Sequence, residues 1–79
     1  MNFNALTHDD IDSFLYMGNK TMSSTTWTQL EINELYRLTN LIYNGSRVDT
    51  GCSSCRRTEV QALKRAYIEY QKIKQTNGK

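Results

Sequence analysis

Asn44–Arg57 reads NGSRVDTGCSSCRR, and it divides the chain into two long helical patterns. The stretch carries both cysteines and three of the chain's five arginines. Asn44-Gly45 supplies the left-handed cap on which many helices end. Thr50, Ser53 and Ser54 offer caps for the helix that follows. Upstream, Leu30, Leu35, Leu38, Leu41 and Ile42 fall in one sector of a helix, with Trp27 beside them. Downstream, Val60, Leu63, Ala66, Tyr67, Tyr70 and Ile73 share an arc of roughly 140°. Each pattern is a core stripe, and Val48 is expected to anchor the connection between them.

The rest of the chain follows the same logic. Thr7 is expected to cap a first helix, with Asp10 reaching back to it and Leu6 stapled onto Ile11. Ile11, Phe14 and Leu15 form its apolar stripe. Gly18-Asn19 is expected to end it, because glycine accepts a left-handed C-terminus. Lys20–Thr26 reads as a linker in which Ser23, Ser24, Thr25 and Thr26 all offer caps. The best start signal for the second helix is the capping box Thr28-Gln29-Leu30-Glu31, with Trp27 and Ile32 spaced as its staple. The expectation is an all-α fold in a single domain, 1–79. It has a short N-terminal helix and two long antiparallel helices joined by a cysteine-containing turn, resembling a three-helix bundle. The helices are expected over about 7–17, 26–43 and 54–75, with a frayed tail from Thr76 to Lys79.

Composition narrows the function. A chain of 79 residues forms one small domain with a modest core. Hydrophobic content of 38% is low for a self-sufficient globule and above the disordered range, so a partner enters the argument early. No apolar run of about eighteen residues is present, which argues against a membrane span. MNFNALTHDD has no basic or apolar leader region, so a cytoplasmic setting is expected, with reduced cysteines. Catalysis is not expected: no spacing supports a nucleophile–base set, there is no glycine-rich phosphate loop, and the domain has little room for a pocket of about 300 Å³.

Charge is uneven. Residues 1–34 hold five carboxylates against one lysine, whereas residues 55–79 hold seven cations against two glutamates. This asymmetry suits either a pairing of first and last helices or a basic face for an acidic partner. The cations Arg47, Arg56, Arg57, Lys64, Arg65 and Lys72 are the candidate basic site, for a protein or for nucleic acid. Arg56 and Arg57 oppose the helix dipole where they stand, so they need an internal carboxylate such as Asp49 or Glu34, or an anionic partner. Ile32, Tyr36 and Tyr43 form a second apolar sector on the second helix, a candidate partner surface unless the first helix covers it. Glu34 lies inside the main stripe and is expected either at its solvent end or paired with an arginine of the turn, the alternative being a buried ligand or partner contact.

Cys52-Ser53-Ser54-Cys55 admits three readings: free thiols packing as small hydrophobes, half a zinc site shared between two chains, or a disulfide that responds to redox conditions. Zinc within one chain would need His8 and a carboxylate as well. No cofactor is otherwise implied.

Two resemblances accompany these residues. Trp27-Thr28-Gln29-Leu30-Glu31 followed by Leu35 is similar to the opening of a Myb/SANT helix, which implies a three-helix fold binding DNA or histone tails. The chain departs from that family where its short middle helix and second tryptophan would stand, between Asn44 and Arg57. The capping box accounts for the same residues, and the kinship is not adopted. The proline-free, Asn/Thr/Tyr-rich composition resembles that of small bacteriophage accessory proteins. That resemblance implies a virion component or an inhibitor of a host protein, located in the host cell or the virion. The leading expectation is therefore a non-enzymatic interaction or assembly protein whose partner is another protein or a second copy. The alternatives are a nucleic-acid-binding module and a small zinc- or redox-linked regulator.

Overall fold

The computed structural model describes residues 1–23 and 26–77, with side chains to residue 74. Within them, a 3₁₀ turn at Phe3–Ala5 precedes α1 (His8–Ser23), α2 (Gln29–Tyr43) and α3 (Ser53–Asn77), with no strand among the described residues. The fold class is all-α, a small three-helix bundle. The candidate caps Ser24 and Thr25, and Gly78–Lys79 of the tail, lie outside the described residues.

The helix starts are set by side chains. Thr7 Oγ1 accepts from the Asp10 N–H at 3.2 Å, and Asp10 Oδ2 accepts from the Thr7 N–H at 3.0 Å. The same reciprocal box forms between Thr28 and Glu31, so α2 begins at Gln29 rather than near residue 26. Asn44 closes α2 with φ of 54°.

The direction of the helices differs from the expected antiparallel pair. Along α2, Gln29 meets Arg56, Thr39 meets Glu59, and Tyr43 meets the Ala62 carbonyl. The order rises on both helices, so α2 and α3 run in the same general direction. It is α1 that runs antiparallel to both: Tyr16 reaches Glu31 and Ser13 reaches Glu34, while Gly18 lies under Tyr67 and Phe14 against Tyr70. Residues 44–52 are not a tight turn. They travel back along α2, which is about 22 Å long at 1.5 Å per residue, a span that nine extended residues cover. Asn40 holds this return strand: its amide donates to the Arg47 carbonyl at 2.7 Å and its carbonyl accepts from the Arg47 N–H at 3.0 Å.

The core contains Leu6, Phe14, Met17, Leu35, Leu38, Ile42, Leu63 and Ala66. Phe3, Phe14, Tyr67 and Tyr70 add tilted and edge-on ring contacts with centroids 5.3 to 6.1 Å apart. The Asn2 N–H donates to the Ile42 carbonyl at 2.7 Å, which fastens the N-terminal turn to the end of α2.

Several assignments from periodicity are corrected. Leu30, expected in the core stripe, is 80% exposed, and Val48, expected as an anchor, is 70% exposed. Leu30 falls in the first turn of α2, beyond the cover of either neighbour, and Val48 rides on the outside of the return strand. Ile73 is exposed because α3, with 25 residues, outruns its two shorter partners. The sector Ile32, Tyr36 and Tyr43 is turned inward on α3 and its approach, not covered by α1. Ile32 and Tyr36 are buried, and the Tyr43 hydroxyl donates to the Ala62 carbonyl at 2.9 Å. That sector is not an open partner surface. The acidic first helix pairs with α2, through Asp10–Arg37 at 2.8 Å, rather than with α3.

Gly18 does not end α1. The helix continues five residues past it, and Tyr67 lies where a side chain would stand: an added Cβ would come within 2.9 Å of Tyr67 Cβ and closer to its ring. Glycine here lets α1 and α3 approach. In an exposed helix Gly→Ala stabilises by about 1 kcal/mol. At this contact the sign reverses, and Gly18→Ala is expected to lose about 1–3 kcal/mol by overpacking. Urea unfolding followed by circular dichroism measures it.

Candidate functional site

The shared direction of α2 and α3 brings their N-termini to one end of the bundle, where α1 finishes. A groove of about 540 Å³ opens there. Trp27 and Val60 give it partly exposed apolar walls over the buried Ile32 and Leu35, and Thr21, Ser53, Arg56, Arg57 and Gln61 line the remainder. This exceeds the room of about 300 Å³ that was not expected in so short a chain.

The two helix N-termini at this end differ in charge. The first turn of α2 contains Glu31, whose carboxylate takes Lys20 Nζ at 2.6 Å, the Thr28 N–H at 2.9 Å and the Tyr16 hydroxyl at 3.1 Å. The Lys20 contact and the Thr28 N–H hold its pKa down at about 2. Lys20 also stands 5.3 Å above the Trp27 ring, a cation–π contact that fixes the indole at the groove wall. The first turn of α3 contains no acid. It carries Arg56 and Arg57, which have separate fates. Arg56 forks onto Asp49 at 2.7 and 2.8 Å, and Gln29 adds a 3.0 Å hydrogen bond to the same carboxylate. The Arg56 guanidinium, with Gln29, holds the Asp49 carboxyl far below the usual carboxylate range. Arg57 is exposed at the groove and has no partner among the described residues.

The remaining candidate cations divide in the same way. Arg47 is committed to Glu59, with Nε 3.0 Å from Oε1. Lys72 lies 3.5 Å from Glu69. Lys64, Arg65 and Lys72 occupy roughly 100° of arc on the outer side of α3, and Arg57, at the edge of that side, is the one that reaches the groove. The six cations therefore do not make one basic face: two of them serve the return strand. Glu34 is paired, as its position in the stripe requires, but with Arg37 rather than an arginine of the connection. Arg37 bridges Glu34 at 2.5 Å and Asp10 at 2.8 Å, and Ser13 donates to Glu34 at 2.6 Å. Arg37 lowers the Glu34 pKa, and the Thr7 N–H and Arg37 lower that of Asp10.

Glu59 falls inside the arc of the α3 core stripe, but as a carboxylate it was not expected in the core; it is 2% exposed. Its Oε2 accepts from the Thr39 hydroxyl at 2.7 Å while Oε1 faces Arg47. By angle Glu59 stands between Ala66 and Tyr70 of that stripe, which is the signal that could have found it.

Cys52 and Cys55 are joined in a disulfide, with Cα atoms 5.2 Å apart. They are neither free thiols nor, with their sulfurs bonded to each other, ligands for a shared zinc. Nor does His8 approach them: it stands at the opposite end of α1, about 20 Å along the helix from Thr21 in the groove. His8, Asp9 and Asp12 do bring their ligand atoms within 4.8 Å of one another, all on exposed side chains. No helix of the described residues is long and apolar enough to cross a membrane. Comparison with protein-family models, with curated proteins and with solved structures finds no match for this chain.

The carboxylates Asp10, Glu31, Glu34 and Asp49 all have depressed pKa values, so each stabilises the fold above its unfolded pKa and ceases to as pH falls through its folded one. Stability is expected to hold from pH 7 to about 5 and to fall steadily from there to about 2. Asp49→Asn should flatten part of that fall. Urea midpoints measured across the range test both statements.

Proposed function

We propose that this chain is a non-enzymatic interaction protein that receives an acidic, amphipathic segment of another protein in the groove beside Trp27. The observation that carries this reading is the combination of an apolar groove with an uncommitted arginine. Trp27 and Val60, partly exposed over a floor of buried Ile32 and Leu35, suit one or two aliphatic or aromatic side chains. Arg57, at a helix start with no acid of its own, suits a carboxylate. Helix-in-groove recognition uses this pairing of apolar anchors with charge at the edge. The composition, like that of small bacteriophage accessory proteins, fits a virion part or a binder of a host protein. Relative to the sequence expectation, the interaction surface moves from Ile32, Tyr36 and Tyr43 as an exposed sector to the groove mouth.

A nucleic-acid module is the less supported reading, because Arg47 and Arg56 are held by Glu59 and Asp49. It retains only the outer cations of α3. Duplex DNA binding that weakens steeply with salt would favour it over the groove.

Trp27 is the only tryptophan, so its fluorescence reports on the groove. The test is titration with a synthetic, tryptophan-free helical peptide bearing leucines at i, i+3, i+4 and i+7 and glutamates elsewhere. A saturable change in Trp27 emission is expected. Arg57→Glu should weaken it about tenfold or more, the equivalent of one charge-assisted contact. Arg65→Glu, on the outer side of α3, should leave it within about twofold. An equal response to the lysine counterpart of the peptide, or indifference to Arg57→Glu, would contradict the assignment.

A further inference from the structure

The Cys52–Cys55 bond has a property that its role in the fold does not explain. Both sulfurs belong to the start of one helix, so the bond ties no two elements together. The start of α3 is already held by other means: Arg56 on Asp49, Gln29 on Asp49, and the Gly51 N–H on Asp49 Oδ1 at 3.1 Å. A four-residue ring also restricts the unfolded chain less than a long loop would.

The two sulfurs differ in surroundings. Cys52 sits immediately before Ser53, where a cap oxygen usually stands. Its Sγ accepts the Cys55 N–H at 3.1 Å and lies 3.3 Å from the Ser54 hydroxyl. The first turn above it has no carboxylate, and of the arginines that follow, Arg56 is engaged by Asp49 and Arg57 is uncommitted among the described residues. Together these features favour negative charge on Cys52 Sγ. Cys55 is an exposed residue of the first turn, whereas Cys52 is half-buried.

We propose that Cys52–Cys55 is an exchangeable disulfide, opened by attack of a small thiolate on Cys55 with Cys52 as the leaving sulfur. In the first step the thiolate RS⁻ attacks Cys55 Sγ. The R–S–Cys55 bond forms, the Cys52–Cys55 bond breaks, and its electron pair departs on Cys52 Sγ. The Cys55 N–H, the Ser54 hydroxyl and the positive end of α3 receive that charge, and a stabilised leaving thiolate departs faster. A second RS⁻ attacks the R sulfur of the mixed disulfide, releasing RSSR and the Cys55 thiolate, which takes up a proton. The sum is protein disulfide plus two RSH giving protein dithiol plus RSSR, a two-electron reduction of the protein with oxidation of the small thiol. Run in reverse, RSSR reoxidises the pair. The couple acts stoichiometrically, at a helix start whose Ser53 and Arg57 line the groove.

The test uses the full chain with glutathione as the small thiol. The protein is equilibrated in buffers from pure glutathione disulfide to pure reduced glutathione, quenched in acid, alkylated and weighed by mass spectrometry, with circular dichroism on parallel samples. Full interconversion between disulfide and dithiol is expected, with helicity unchanged. The transient single-glutathione adduct, mapped by proteolysis, should lie on Cys55. A bond that stays closed in pure reduced glutathione, or helicity that collapses on reduction, would show a structural disulfide and overturn the proposal. An adduct on Cys52 would overturn the assigned direction of attack.

Discussion

Glu59 is the point at which α2, α3 and the return strand meet. It comes from α3, accepts from Thr39 of α2, and faces Arg47 of the 44–52 strand. A buried carboxylate without these partners would be costly, so its presence demands that all three elements be in register. Asn40 fixes the strand beside Arg47 through two backbone hydrogen bonds, and Asp49 fixes its far end through Arg56 and Gln29. Together they commit the chain to run back along α2 before α3 begins. An antiparallel hairpin of α2 and α3 would separate Gln29 from Asp49 and Arg56.

The distribution of chemistry follows from that route. Because the strand returns, the N-termini of α2 and α3 share one end of the bundle with the last turns of α1. Trp27 therefore gathers with Arg57 and the cysteine pair, though it is far from them in sequence. The positive end of α2 is answered by Glu31, while that of α3 is left with two arginines, one of which is engaged by Asp49. The opposite end is closed by aromatic rings and the N-terminal turn. Gly18 beneath Tyr67 sets how closely α1 and α3 approach on the way.

Local signals were well legible in the sequence. Thr7 with Asp10, Thr28 with Glu31, and Asn44 each act within a few residues of chain, and each marks a helix end where it was expected. What depends on distant residues was not legible. Gly18-Asn19 has the local form of a helix end, and only Tyr67, nearly fifty residues away, accounts for a glycine inside a helix that continues. Leu30 and Val48 fit a core pattern by spacing, but helix termini and the outer side of a strand are not covered. Arg56 and Arg57 are adjacent and identical in type, yet one is consumed by Asp49 and the other is free among the described residues. The direction of α3 relative to α2 has no signature in periodicity, because a stripe reads the same in either orientation. The burial of Glu59 was missed for a related reason: its partners come from two other elements.

The most direct measurement is a double-mutant cycle on Arg47 and Glu59. Urea unfolding is compared for the wild-type chain, Arg47→Ala, Glu59→Gln and the double variant. Arg47→Ala alone leaves a buried carboxylate poorly compensated and should cost about 1–3 kcal/mol. With Glu59 already replaced by glutamine, removing Arg47 should cost much less, giving a coupling of about 1 kcal/mol or more. Effects that add within about 0.3 kcal/mol would mean that the two side chains do not act together, and would contradict a return strand fixed at Glu59.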